Sequence, residues 1–188
     1  MKTLYVVRHG ETMFNVQHRI QGWSDSPLTE KGIEQAKQVG KYFEDIPLDH
    51  AYSSTSERCC DTMELILQER LPYQRLKALK EMNFGILEGE TERINPKGPK
   101  AYQTFFLPYG GESSNTVGKR MLECLTDLMS QPDNQNVLVV SHAGSSFNFL
   151  RMIQDPTEEL NKGFSNGSIF VYQFEDQQFK LGKVIRLF

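Results

Sequence analysis

Two short apolar runs that each end in a histidine constrain this fold more than any other feature. Leu4-Tyr5-Val6-Val7 leads into Arg8-His9-Gly10-Glu11-Thr12, and Val137-Leu138-Val139-Val140 leads into Ser141-His142-Ala143-Gly144. Continuous runs of this kind are the pattern of strands buried on both faces of a parallel sheet. In such a sheet both strand ends lie on one edge, the edge at which open α/β sheets bind ligands. The two imidazoles should therefore converge on one crevice. Arg8 stands beside the first, and Gly10 lets backbone come close to whatever sits there.

The rest of the chain supplies the alternating elements that such a sheet needs. Thr3 to Val7 reads as the first strand. Thr29 caps a helix running to about Asp45, with a stripe of Ile33, Ala36, Val39, Gly40 and Phe43. Asp49 to Ser53 is a second strand, and Ser53-Ser54 caps a helix through Arg58 to about Gln68. Tyr73 to Leu79 reads as another strand, and residues 88–114, rich in Gly, Pro and charge, as an irregular insertion. A helix from about Thr116 to Ser130 and a turn at Pro132-Asp133-Asn134 precede the Val137–Val140 strand. Another helix begins near Ser145, and Ser168–Phe174 and Phe179–Leu187 pair around Glu175-Asp176. The expected fold is α/β: a three-layer αβα sandwich with a mostly parallel sheet and a short insertion over the active site. Its 188 residues are read as a single domain, 1–188, with insertion 88–114.

Charge and cysteines narrow the function classes. The net charge is −3 and there is no basic tract, which argues against a nucleic-acid partner. No apolar run approaches membrane-spanning length, and Met1 is followed at once by a strand rather than a signal peptide. Of three cysteines, Cys59 and Cys60 are adjacent and Cys124 is distant, so no disulfide framework is expected. A reducing, cytoplasmic location with no membrane partner is the expectation. An acidic chain can still take an anionic ligand, because a few local arginines set the field of one cleft.

Arg58 falls in the first turns of a helix that follows a strand, so it reaches the same edge as Arg8, His9 and His142. Two guanidinium groups offer planar forked donors that match phosphate oxygens. Backbone N–H groups at the helix starts after Ser53 and after His142 add anion affinity. The combination asks for a phosphate.

In this arrangement the chain resembles the histidine phosphatase superfamily, the phosphoglycerate mutase-like family, in its small phosphatase branch. The matching segments are Arg8-His9-Gly10-Glu11-Thr12 with Asn15, then Asp25-Ser26-Pro27-Leu28-Thr29-Glu30-Lys31-Gly32, then Ser53-Ser54 through Arg58 to Thr62. Glu81, Phe84-Gly85 and Glu88-Gly89 follow, then Gly110-Gly111-Glu112-Ser113, Val140-Ser141-His142-Ala143-Gly144 and Asn166-Gly167-Ser168. The resemblance implies that neutral His9 attacks phosphorus in line and becomes a phosphohistidine. Its other ring nitrogen should then donate to a backbone carbonyl or similar acceptor. The resemblance also implies that Arg8, Arg58, His142 and Asn15 hold the phosphate oxygens. Glu81 would protonate the leaving oxygen and later take a proton from water, which requires a raised pKa. Glu11, Glu88, Glu90 and Glu112 compete for that role, and the loop context favours Glu81. Gln21 and Gly22 resemble a substrate-contacting pair, with a plain turn as the alternative, and Ala143 is counted among the substrate-binding residues. No metal or cofactor is expected.

Three functions fit. The first is a metal-independent phosphatase acting on small phosphomonoesters. The second is a mutase that moves phosphate within a phosphoglycerate. The third is a non-catalytic protein that binds a phosphorylated ligand. The resemblance implies that mutases of the family are longer, with a larger insertion carrying paired arginines and a tail beyond the last strand. Here the insertion carries one arginine, Arg93, and the chain stops at Phe188, which favours hydrolysis through access of water to the intermediate. Most insertion aromatics (Tyr102, Phe105, Phe106, Tyr109) are expected to close a small satellite core, with some lining a leaving-group pocket near Lys97 and Lys100.

Overall fold

A computed structural model describes residues 1–188. Six strands form one mixed sheet: β1 (Lys2–Arg8), β2 (His50–Ser54), β3 (Tyr73–Leu76), β4 (Asn136–Ser141), β5 (Ile169–Glu175) and β6 (Gln178–Ile185). Their order is β3-β2-β4-β1-β5-β6. The first four are mutually parallel, and β5 and β6 add on antiparallel. β5 and β6 form a hairpin whose turn residues Asp176 and Gln177 have φ of 50° and 60°. That pair of positive angles matches the twist of the flanking strands.

Seven helices surround the sheet: α1 (Met13–Val16), α2 (Glu30–Tyr42), α3 (Glu57–Leu67), α4 (Pro99–Tyr102), α5 (Ser114–Ser130), α6 (Ala143–Ile153) and α7 (Thr157–Lys162). Side-chain alternation along the strands builds two cores. Leu4, Val6, Val137 and Val139 face Val117, Met121 and Leu125 of α5 and Phe149 and Leu150 of α6. Val7, Leu138 and Val140 face Val39 of α2 and Cys59, Met63 and Ile66 of α3. Each of these buried aliphatic chains contributes roughly 1.5–3 kcal/mol relative to exposure. This two-sided burial explains the continuous apolar runs of β1 and β4, and the structure is the three-layer sandwich that the pattern specifies.

The register does most to position the site. β1 pairs with β4 from Leu4–Val137 through Arg8–Ser141. The His9 N–H donates to the Ser141 carbonyl at 3.1 Å, so His9 and His142 leave the sheet side by side.

Several boundaries differ from the sequence reading. The strand expected over Tyr73–Leu79 stops at Leu76, and Lys77–Leu79 turns as a 3₁₀ helix. That turn brings the Leu79 carbonyl to the Ser141 hydroxyl at 2.8 Å and carries the chain over the sheet edge toward Glu81. Ser53 and Ser54 are buried at the end of β2 and do not cap α3, whose cap position is Ser56. α6 begins at Ala143, directly after His142, two residues before the expected start. α1 and α7 were not anticipated, since one or two turns present no helical period to read. The insertion is largely irregular, broken by α4 and two 3₁₀ turns. Its aromatics do not form a separate satellite core. Phe106 is fully buried in the main core, and Tyr102 and Phe105 pack against it.

Candidate active site

His9 is buried at the end of β1. Its Nδ1 lies 2.8 Å from the Gly10 carbonyl oxygen. A carbonyl only accepts, so Nδ1 carries the hydrogen and Nε2 carries the lone pair. Arg58 Nε donates to that Nε2 at 3.2 Å. Burial, then the positive charges of Arg58 and Arg8, hold the His9 pKa well below its ordinary value, so the ring is neutral. The loop carrying it is pinned by its glycine: a side chain at Gly10 would overlap the Gly32 carbonyl at the start of α2. The close approach that Gly10 permits is therefore to the chain's own backbone.

Arg58 is the hub behind the nucleophile, and its side chain is fully buried. Nη1 donates to Asp25 Oδ1 at 2.8 Å and to the Ser24 carbonyl at 3.0 Å. Nη2 donates to the Gly22 carbonyl at 2.9 Å and to His142 Nδ1 at 2.8 Å. A buried guanidinium is tolerated only when its charge and donors are met, and here Asp25 supplies the countercharge. Asp25 Oδ2 also accepts the Glu57 N–H at the start of α3, at 2.6 Å. Thr62, one turn beyond Arg58, accepts the Gly10 N–H and donates to the Arg58 carbonyl, tying α3 to the His9 loop.

His142 accepts from Arg58 at Nδ1, so its Nε2–H donates to Ser54 Oγ at 2.8 Å. Burial, then Arg58, push its pKa well below the ordinary value. The His9 and His142 rings meet edge to face at 5.3 Å between centroids. Arg58 and His142 thus stand together with His9, as the motifs imply. Their donors, however, are engaged with protein groups, and neither side chain lines the open cleft.

Arg8, His9, Asn15, Gln21, Glu81 and Ala143 do line one cavity of about 230 Å³ at this sheet edge. Arg8 donates through Nη1 to the Phe164 carbonyl, while its buried Nε has no protein partner. Burial lowers the Arg8 pKa. Asn15 Oδ1 accepts from the Thr12 N–H and from Asn166 Nδ2, which leaves its amide hydrogens for a ligand. Gln21 is held by Thr12 and Ser26. Gly22 is absent from the cavity wall. Its N–H donates to Glu88 and its carbonyl accepts from Arg58. A side chain there would overlap the Met82 carbonyl, so the position accommodates only glycine.

Two carboxylates line the cavity, Glu81 and Glu92; Glu92 is exposed at its rim and Glu81 is buried. Glu81 Oε1 accepts the Met82 N–H and its Oε2 accepts the Gly144 N–H, each at 2.8 Å. Burial raises its pKa, partly offset by those two hydrogen bonds. Three competitors are engaged elsewhere. Glu88 takes the N–H groups of Gly22, Trp23, Ser24 and Phe84. Glu112 is paired with Arg120 at 2.9 Å, and Glu11 with Lys31 at 2.8 Å. Glu90 is exposed and outside the cavity wall.

Two functional supports escaped the sequence reading. Asp25 was read only as part of a motif, although a buried arginine needs a carboxylate partner and this one opens the segment before Pro27. Arg120 of α5 is the other. It donates to the carbonyls of Ala78, Lys80 and Glu81 at 2.7–2.8 Å and so clamps the loop that presents the acid. Trp23 Nε1 donates to the same Glu81 carbonyl at 3.1 Å. No group of three or more His, Cys, Asp or Glu side chains is placed to hold a metal ion, and no helix is long and apolar enough to cross a membrane.

Residues 4–185 match the model of the histidine phosphatase superfamily, branch 1. The chain belongs to this superfamily. Among curated relatives, the probable phosphoglycerate mutase GpmB of Erwinia tasmaniensis is 36% identical over 151 residues, covering 76% of this chain and 70% of that protein. Among solved structures, Bacillus stearothermophilus YhfR superposes with a TM-score of 0.85 at 33% identity, covering 97% of this chain and 96% of that one. The phosphoserine phosphatase of Entamoeba histolytica, solved with 3-phosphoglyceric acid, gives 0.82 at 27% identity, covering 98% and 96%. The superfamily places the chain among phosphatases and mutases of the phosphohistidine type.

Proposed function

We propose that this protein is a metal-independent phosphatase that hydrolyses small phosphomonoesters through a phosphohistidine on His9. The observation that carries the reading is the state of that ring: neutral, with Nδ1–H fixed on the Gly10 carbonyl and a lone pair at Nε2. An incoming phosphoryl group takes over the Nε2 position now facing Arg58 Nε. Arg58 and His142 then turn donors from protein carbonyls and hydroxyls to phosphate oxygens. Arg8, with its unpartnered Nε, and Asn15 approach from the cavity side. Nε2 forms a bond to phosphorus as the bond to the leaving oxygen breaks, and Glu81 gives that oxygen its proton. In the second half, water attacks phosphorus, Glu81 takes the water proton, and the P–N bond breaks to free His9 and inorganic phosphate. The raised Glu81 pKa keeps an acid form available in the first half.

The mutase reading has one specific support besides the name of the GpmB relatives. Arg19 lines the cavity and could face a second anionic group. Phosphate release from a panel of phosphomonoesters, measured with a metal chelator present, tests the proposal. Release that survives the chelator is expected. Incubation with 3-phosphoglycerate and a bisphosphate primer separates the two activities: 2-phosphoglycerate formed faster than free phosphate would replace the phosphatase reading with the mutase. Phosphate binding with no turnover on any ester would leave a binding protein.

A further inference from the structure

A second cavity, of about 320 Å³, opens from the catalytic cleft and shares Phe84, Tyr102, Ala143 and Gly144 with it. Its own walls are mostly apolar: Met82, Pro99, Phe147, Leu160 and Phe164. No lysine, arginine, aspartate or glutamate lines it. Lys100 and Arg151 line a neighbouring surface depression instead, and Arg8 stands in the adjoining cleft with its guanidinium on the Phe164 carbonyl.

Two polar side chains, Ser114 and Asn148, interrupt the apolar wall, and Asn148 is the one with an unpartnered buried atom. Asn148 of α6 is almost completely buried, and its Oδ1 has no partner. Its Nδ2 donates to the Gly144 carbonyl at 2.9 Å. The Gly144 N–H in turn holds Glu81 Oε2 at 2.8 Å. The chamber therefore begins at the residue whose N–H orients the acid that protonates the leaving oxygen. A buried acceptor without a donor is destabilising, and a ligand that supplies the donor recovers the loss.

We infer that this chamber receives the alcohol part of the substrate and selects an uncharged, apolar or ring-bearing group with a hydroxyl or N–H that donates to Asn148 Oδ1. The inference rests on the phosphatase reading of the adjoining cleft. A carboxylate in the chamber finds no countercharge and repels the lone pairs of Oδ1, so acidic phosphomonoesters are poor substrates. A phenyl-sized group loses water from both its faces there, and a side chain of that size is worth roughly 1.5–3 kcal/mol on burial, which is about 10- to 150-fold.

The test compares kcat/KM for ethyl phosphate, 2-phenylethyl phosphate, 2-(3-hydroxyphenyl)ethyl phosphate and phosphoserine. Tenfold or greater preference for the phenylethyl ester over ethyl phosphate and over phosphoserine is expected, with a further gain for the hydroxyphenyl ester. In Asn148→Leu the ratio of hydroxyphenyl to phenylethyl ester should fall toward one. In Leu160→Glu the ratio of phenylethyl to ethyl ester should fall at least tenfold, and Leu160→Ala gives a milder version if that variant folds poorly. Equal rates across the neutral esters, or a preference for phosphoserine, would overturn the inference while leaving the phosphatase standing. Calorimetric binding of 2-phenylethylphosphonate, compared with ethylphosphonate, reads the chamber without turnover. Tighter binding of the phenylethyl compound with no ester cleaved would keep the chamber and reject the hydrolase.

Discussion

The two ends of the site are built in opposite ways. At the phosphate end, the buried His9, Arg58, His142 and Ser54 form one hydrogen-bonded chain with the partly exposed Asp25, in which each group fixes the next. At the leaving-group end, Met82, Phe84, Phe147, Leu160 and Phe164 enclose space and leave Asn148 and Ser114 as the main polar groups for orientation. A low-dielectric site strengthens polar networks and makes them intolerant of losing a member, while an apolar chamber tolerates changes of shape. The first end should therefore dictate the chemistry, and the second should tune which ester undergoes it.

Substitutions that remove the nucleophile separate the ends most sharply. His9→Ala should lower turnover by on the order of 10⁴-fold or more on every ester, whatever fills the chamber, because it deletes the bond-forming atom. Initial-rate assays across leaving groups read this, and residual activity near wild type on any ester would break the comparison. Glu81→Gln acts at the boundary. It should cost about 10²- to 10⁴-fold on alkyl phosphates and far less on activated aryl phosphates, whose leaving oxygen needs little protonation. Equal losses on both would show that Glu81 is not the acid.

Asp25→Ala tests the network as structure. It strands a fully buried guanidinium, but the Asp25 side chain is itself a quarter exposed, so the loss falls short of the about 3–5 kcal/mol of a fully buried pair. Part of that is recovered here through the carbonyls that Arg58 also meets. The urea midpoint should drop steeply, and an unchanged midpoint would mean that Asp25 does not hold Arg58. The phosphate end should also be acid-sensitive. His9 and His142 have folded-state pKa values well below the unfolded value of about 6.5. Their contribution is fully present above that value and is lost as pH falls below it, because the unfolded chain takes up protons that the folded one refuses. Stability should decline by up to about 1.4 kcal/mol per pH unit for each ring. Urea titrations between pH 7 and 5 check the slope, and His142→Asn should reduce it.

The same contrast explains what the sequence disclosed. His9, His142, Arg8 and Arg58 are legible because they sit at fixed offsets from strand ends and helix starts, where local pattern sets direction. Glu81 was legible only through its loop motif, since nothing local shows that Arg120, 39 residues downstream, holds its carbonyl. Asp25 was read only within its motif and Ser54 as a helix cap, because a buried partner is a tertiary fact. Gly22 was read toward the substrate when its constraint is the Met82 carbonyl pressed against it. The chamber was legible only in part: the insertion aromatics pointed to a leaving-group pocket, and Tyr102 lines it. Phe147, Phe164 and Met82 look like ordinary core residues, and only the packing of the insertion against α6 leaves space between them.

The most direct test of the account is rapid quench of the protein with a ³²P-labelled phosphomonoester, followed by alkaline denaturation and mapping of the label. The account predicts a base-stable, acid-labile phosphoenzyme labelled on His9 that forms and decays fast enough to carry turnover and is absent in His9→Ala. Phosphate released with no such intermediate, or label carried by another residue, would contradict it.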